Sequence, residues 1–232
     1  MPKVSIAIPT YERVKMLFES FAQVHDDERV DEIVIVDDAS SNETFESIRK
    51  FALNYPKVKL YRNANNRGCY ENKYTALSWC SNDWCILLDS DNVIDVSYLD
   101  AIFSLEWNAN TVYAPVFAKP NFDYREFSGL LIEKKNVSKY IDKPMFSTAL
   151  NTANFFVNKK TYLSAWCSDV DPVTADSIFM CYKMLQKDVK IFFVPNLIYF
   201  HRVHSGSHYI QNVNKTPPGF LRSIENDLRT MK

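Results

Sequence analysis

Residues 83–92, DWCILLDSDN, and residues 33–41, IVIVDDASS, share one shape: an unbroken apolar run that stops on acids. A strand with one wet face alternates apolar and polar residues. A run without alternation fits a sheet covered on both faces, as parallel sheets are. Working outward, residues 4–8 form a third short β-rich run, closed by Pro9, and residues 58–61 a fourth. Between these runs the apolar spacing turns helical, through Met16, Leu17, Phe21 and Val24, then Phe45, Ile48, Phe51 and Ala52, then Tyr74, Leu77 and Trp79. Strands alternating with single helices predict βαβ units and a largely parallel sheet.

Beyond residue 92 the pattern is less regular. Residues 96–107 read as a helix, 111–116 as a strand, 155–157 as a strand, 177–185 as a helix and 190–194 as a strand, while 122–132 is ambiguous. A stripe of Phe220, Leu221, Ile224 and Leu228 marks a last helix. Such a stripe more often packs on its own domain than on a membrane, so peripheral membrane contact stays the lesser reading. No linker or repeat interrupts the chain. The expectation is one α/β domain over residues 1–232, with a mostly parallel sheet and a small antiparallel elaboration in the C-terminal half.

Composition narrows the chemistry. The 27 cations and 28 acids leave a net charge of −1, which gives no global pull toward nucleic acid. Only four glycines occur, Gly68, Gly129, Gly206 and Gly219, all far apart. That removes the paired-glycine fingerprints of dinucleotide and P-loop sites. Five cysteines with no C-x-x-C spacing read as buried free thiols in a reducing compartment. Pro2-Lys3 leads straight into the first strand without a leader's apolar stretch, and no apolar run is long enough to span a bilayer. The expected location is the cytoplasm.

In an open parallel sheet, ligands bind beyond the carboxyl ends of the strands. Three strands here end in polar clusters: Pro9-Thr10-Tyr11-Glu12, Asp37-Asp38 and Asp89-Ser90-Asp91. Crowded acids are costly unless a positive group neutralises them, and a hard divalent cation with a phosphate does so well. The competing explanation is that the acids cap the helices that follow. For Asp37 the two readings weigh equally; for the D-S-D, at the end of an apolar strand, capping is the weaker one.

Taken together, VSIAIPTYER (4–13), IVIVDDASSNETF (33–45), NRGCYENKYTALSWC (66–80) and DWCILLDSDN resemble the nucleotide-binding half of family 2 glycosyltransferases with the GT-A, Rossmann-like fold. TADSIFMCYKM (174–184) is similar to the segment carrying that family's catalytic acid, and HRVHSGS (201–207) to its Arg-x-His-x-x-Ser element. The resemblance implies a nucleotide-sugar half over 1–92 and an acceptor and base half over 93–232. It implies that Pro9, Thr10 and Tyr11 wall the base pocket, with Glu12 where the family often has Asn. It matches Asp38 to a uracil contact, Asp89 with Ser90 to the ribose side, and Asp91 with His204 to the ligands of Mn2+ or Mg2+. Asp176 matches the general base, preceded by Ala175 where the family commonly has Glu. Lys73 stands in a stretch that departs from the family's pattern and is a guess at a phosphate contact. Asn151 and Asn154 fall where the donor sugar or acceptor is lined, a plain turn being the alternative.

The implied reaction is metal-dependent, inverting transfer from a UDP-sugar to a hydroxyl of a glycan or lipid-linked acceptor. A sugar-phosphate nucleotidyltransferase would want a glycine-rich basic loop where Pro9 to Arg13 stand. A binding module without turnover would be expected to lack Asp91 or Asp176, and both are present. His201, His204 and His208 do not read as a zinc cluster, because His201 and His204 would face opposite sides of a strand and no cysteine lies nearby.

Overall fold

The computed structural model describes residues 2–152 and 154–231. Its first seven elements are β1 (Val4–Thr10), α1 (Lys15–Phe21), β2 (Val30–Asp37), α2 (Asn42–Ala52), β3 (Val58–Arg62), α3 (Gly68–Trp79) and β4 (Trp84–Leu87). Every residue of β1 is buried, Ser5 and Thr10 included. The reason is its place: β1 pairs in parallel with β2 on one side and β4 on the other. β3 lies outside β2, also parallel. Helix ends follow local chemistry. Ser41 caps α2 by accepting from Thr44 N at 3.2 Å, with Glu43 in the first turn and Arg49 and Lys50 in the last. Gly68 opens α3 at φ 82, a conformation that glycine adopts without a Cβ penalty.

The remaining elements are α4 (Val96–Phe103), β5 (Thr111–Ala114), β6 (Phe117–Lys119), β7 (Phe122–Asp123), β8 (Leu131–Ile132), α5 (Phe146–Leu150), β9 (Phe156–Asn158), α6 (Lys159–Ala165), α7 (Asp176–Gln186), β10 (Lys190–Phe193), β11 (Ile198–Phe200), α8 (His208–Asn212) and α9 (Phe220–Thr230). The main sheet has the order β3-β2-β1-β4-β9-β5-β10-β8, and β11-β6-β7 form a second, smaller one. β9 runs antiparallel to both β4 and β5, and β8 antiparallel to β10. The expected α/β class, parallel sheet and antiparallel elaboration are thus all present. One antiparallel strand, β9, sits inside the sheet between β4 and β5. Two helices are shorter than their apolar stripes. α1 stops at Phe21, and α4 stops at Phe103, where Trp107 folds back and donates its indole N–H to Ile102 O at 2.7 Å. The ambiguous stretch 122–132 holds β7, a short 3-10 turn and β8. α9 packs Ile224 and Leu228 into the protein's own core. Among the described residues no helix is long and apolar enough to cross a membrane.

Candidate functional site

Parallel register sets the site's floor. Thr10 lies opposite Asp37, and Ala7 opposite Leu87, so the polar ends of β1, β2 and β4 emerge on one edge of the sheet. Antiparallel β9 begins where β4 ends, which brings Asn154 to the same edge. Its Oδ1 accepts from Asp89 N at 2.8 Å. Two buried polar atoms here, Thr10 Oγ1 and Asn154 Nδ2, have no partner among the described residues. Unsatisfied buried polar groups are uncommon and ask for an explanation, and a ligand is one.

At the end of β1, Pro9 and Thr10 are buried and Tyr11 is open to solvent. Glu12 turns away from them. It adopts φ 51, and its carboxylate accepts from Ser41 N at 2.5 Å and Thr44 Oγ1 at 2.6 Å, pinning the start of α2. Burial alone would raise its pKa, but the hydrogen bonds from Thr44 and Ser41 and the Arg62 charge lower it.

The acids of β2 divide their work. Asp37, fully buried, accepts from Ser40 N at 3.1 Å and pairs with Arg62 Nε at 3.3 Å. Burial pushes its carboxyl above the usual range despite these partners. Asp38 accepts from Asn63 Nδ2 at 2.8 Å and from the backbone of Arg67 and Gly68, each at 2.9 Å. Asp38 therefore fastens the end of β2 to the start of α3, not to the helix that follows it in sequence. Asn72, which the sequence does not single out, completes the tie by donating to Val36 O at 3.0 Å.

Beyond β4 the D-S-D meets three basic residues. Arg13 Nη2 is 3.2 Å from Asp91 Oδ2, and its other nitrogen reaches Ser90 Oγ at 3.4 Å. His204 Nε2 lies 3.1 Å from the same Asp91 oxygen. Arg202 donates to Asp91 O and to Met16 O, and pairs with Glu19. Neither arginine is among the site residues the sequence points to; Arg13 stands at the end of the first motif stretch, and Arg202 is the arginine of the Arg-x-His-x-x-Ser element.

Lys73, on α3, is buried. Its Nζ is 2.6 Å from Asp176 Oδ2 and 3.3 Å from Asp89 Oδ1. Burial works against its charge, but Asp176 and Asp89 outweigh burial and hold its pKa well above the usual value. Burial also raises the Asp89 carboxyl, with Lys73 opposing. Asp176 is the first residue of α7, as its place ahead of the apolar stripe predicts. The helix N–H of Ile178 is taken by Asn151 Oδ1 at 3.2 Å, while Asn151 Nδ2 donates to Thr174 O at 3.1 Å. Asn151 is occupied as a clamp on α7, and the Asp176 carboxylate is left to Lys73, with the Cys69 thiol donating to the same oxygen at 3.8 Å. Just ahead, Val173 adopts φ 51, a strained backbone for a β-branched residue. Ala153, between Thr152 and Asn154, lies outside the described residues.

The histidines do not converge. His201 Nδ1 is 2.9 Å from Asn121 Nδ2, His208 Nε2 is 3.3 Å from Val173 O, and only His204 reaches the D-S-D. Among the described residues no three His, Cys, Asp or Glu side chains gather as a complete metal site. Asp91 and His204 nevertheless offer a hard oxygen and an imidazole nitrogen at one point. A cationic guanidinium already sits at that oxygen, so the carboxylate is placed to hold positive charge. A divalent cation bound there would draw its other ligands from a diphosphate and water. A surface cavity of about 520 Å³ lies elsewhere, lined by Pro2, Arg29, Trp84, Phe103, Leu105 and Trp107 at the amino ends of the strands. Convergent polar groups, not cavity volume, mark the candidate site.

Known proteins bear on these residues. The model of Glycosyl transferase family 2 matches residues 5–165. A GalNAc(5)-diNAcBac-PP-undecaprenol beta-1,3-glucosyltransferase from Campylobacter jejuni is 31% identical over 171 residues, 70% of this chain and 53% of that protein. The chain thus spans about half the length of this curated relative. Among solved structures, the mannosyltransferase PcManGT from Pyrobaculum calidifontis, in complex with GDP-Man and Mn2+, superposes with a TM-score of 0.64 at 17% identity, covering 98% of this chain and 70% of that one. S. aureus TarS 1-349 in complex with UDP-GlcNAc gives 0.68 at 15% identity, covering 89% and 60%. At such identities these two show the fold alone, and that fold is GT-A. The family match, running from β1 to the end of α6, takes in the three strand ends, the D-S-D and Lys73 together, and by it this chain belongs to glycosyl transferase family 2.

Proposed function

We propose that the chain transfers a sugar from a nucleotide-sugar donor, a UDP-sugar by preference, to a hydroxyl of a glycan or lipid-linked acceptor, with inversion at the anomeric carbon. One observation carries this reading: the Lys73 ammonium joins Asp89 of the strand end to Asp176 of α7, 103 positions from Lys73 in sequence. The acids of the donor side and the candidate base therefore meet at one ammonium group. Family membership supports transfer over sugar-phosphate nucleotidyl chemistry, and the Campylobacter relative's name supports a lipid-linked acceptor.

In this reading residues 1–92 bind the nucleotide sugar and residues 93–232 supply the base and the acceptor surface. Pro9, Thr10 and Tyr11 wall the base, and Asp38 faces the uracil while holding α3. Asp89 and Ser90 border the ribose, and Asn154 the sugar. Asp91 and His204 would hold Mn2+ or Mg2+, which supplies Lewis-acid stabilisation of the departing diphosphate. Asp176 takes the proton of the acceptor hydroxyl as its oxygen bonds to the anomeric carbon and the bond to the diphosphate breaks. Lys73 keeps the buried Asp176 carboxylate and the half-buried Asp89 carboxylate from facing each other unpaired. A single in-line displacement inverts the configuration. Five free cysteines suit a reducing cytoplasm.

Calorimetry with UDP tests this directly. UDP should bind more tightly with Mn2+ than without, and Asp91→Asn should remove that increment while leaving uridine binding unchanged. Equal losses for uridine and UDP would mean that Asp91 supports only the fold.

A further inference from the structure

Thirteen large hydrophobic side chains stand open to solvent among the described residues, and six of them fall between positions 200 and 221: Phe200, Val203, Tyr209, Ile210, Val213 and Leu221. Singly scattered apolar residues need no explanation, whereas a cluster within a tenth of the chain does. The same stretch is one-signed. Positions 189–224 contain no Asp or Glu, although the chain carries 28, and hold Lys190, Arg202, Lys215, Arg222 and three of the four histidines. Lys190 is spent on Glu133 and Arg202 on Glu19. Lys215 and Arg222 are exposed, with no acid in ion-pair reach among the described residues. The neighbouring loop does carry exposed Asp169 and Asp171, so any attraction for anions rests on Lys215 and Arg222 and not on the net charge of the whole face.

The segment is tied down along the rim of the site. His204 meets Asp91, and Gly206 O accepts from Arg13 Nη2 at 2.9 Å. His208 Nε2 reaches Val173 O at 3.3 Å, and Thr216 Oγ1 lies 2.6 Å from Thr174 Oγ1. α8 and the turn after it therefore bridge from the D-S-D to the strained turn ahead of Asp176. Tyr209 and Val213, four residues apart, share one side of that bridge, with Ile210 beside them.

We propose that this rim is the surface on which the protein lies against a bilayer with anionic headgroups, Tyr209, Ile210 and Val213 entering the acyl boundary and Lys215 and Arg222 meeting the headgroups. The inference rests on the lipid-linked acceptor proposed above. An acceptor whose lipid stays in the bilayer brings its hydroxyl only to a site held at the interface, and this exposed apolar rim is tied both to Asp91 and to the turn just ahead of Asp176. A short apolar surface with two cations supports reversible binding, not insertion.

Sedimentation with phosphatidylglycerol–phosphatidylcholine vesicles tests it, with pure phosphatidylcholine vesicles alongside. The protein should bind the anionic vesicles more tightly. The double substitution Tyr209→Ser with Ile210→Ser should weaken binding about tenfold or more, and Lys215→Gln about fivefold on anionic vesicles alone. Leu53→Ser, at a residue 79% exposed at the far end of α2, should change nothing. Absence of vesicle binding, equal binding to both lipids, or an equal loss in Leu53→Ser would overturn the proposal. UDP affinity, measured on the same samples, should be unchanged in the double variant. Absence of UDP binding in the unsubstituted chain would instead sink the enzymatic reading, on a readout that vesicles do not enter.

Discussion

At the scale of single residues, Lys73 and Asp176 show what neither motif spells out. A lone carboxylate at a helix start is most simply a cap. The structure gives the capping of Ile178 to Asn151 and turns Asp176 to Lys73. A folded Asp176→Asn protein should therefore keep its UDP and Mn2+ affinity and lose about 10²–10⁴-fold in turnover, the span expected of a general base; a transfer assay at saturating donor reads this. Lys73 is different in kind. Removing one partner of a buried ion pair leaves uncompensated charge, so Lys73→Met should destabilise the protein by about 3–5 kcal/mol in urea unfolding. A change below about 1 kcal/mol would mean that water already reaches and solvates the two acids. Its burial was not legible: the resemblance offers Lys73 only as a guess at a phosphate contact, and what closes over it is set by Asp89 and Asp176, which lie far from it in sequence.

At the scale of elements, two acids hold joints. Glu12, at the position where the resemblance points to a wall of the base pocket, spends its carboxylate on the first turn of α2. Glu12→Ala should cost about 0.5–2 kcal/mol of stability, the worth of a helix cap, while UDP affinity stays unchanged; a parallel loss of UDP affinity would return Glu12 to the nucleotide pocket. Glu32, buried on β2, accepts from Ser5 Oγ at 2.6 Å and Ser81 Oγ at 2.7 Å and pairs with Lys59. Burial alone would raise its pKa, but Lys59, Ser5 and Ser81 hold it down at about 2, from an ordinary 4.5. A depressed carboxyl stabilises the fold fully above its unfolded pKa, and this contribution is lost as protons bind the folded form less readily than the unfolded one. Stability should therefore fall as pH drops from about 4.5 toward 2, and Glu32→Gln should flatten that part of a urea-midpoint profile. An unchanged acid limb would assign the loss to other carboxylates.

At the scale of the whole molecule, Arg202 fastens the C-terminal segment to the N-terminal half through Asp91, Met16 and Glu19. Arg202→Ala should raise amide exchange and proteolytic cleavage across positions 201–218 and weaken the Mn2+-dependent part of UDP binding, because His204 loses its anchor. Unaltered exchange there would place the anchoring in Arg13 and Thr216 instead. The sequence by itself determined the parallel order of strand and helix through β4, the edge on which the polar strand ends emerge, and the placing of Asp176 at a helix start. These follow from apolar periodicity and from chain direction, which are local and readable. Tertiary structure alone decided which acids are spent and which are free. Glu12 and Asp38 face helices distant from them in the chain, and β9 enters antiparallel, so Asn154 arrives at Asp89 from a strand whose direction no local pattern records. Side-chain partners and strand order depend on contacts between residues far apart in sequence, and a periodicity carries no information about those.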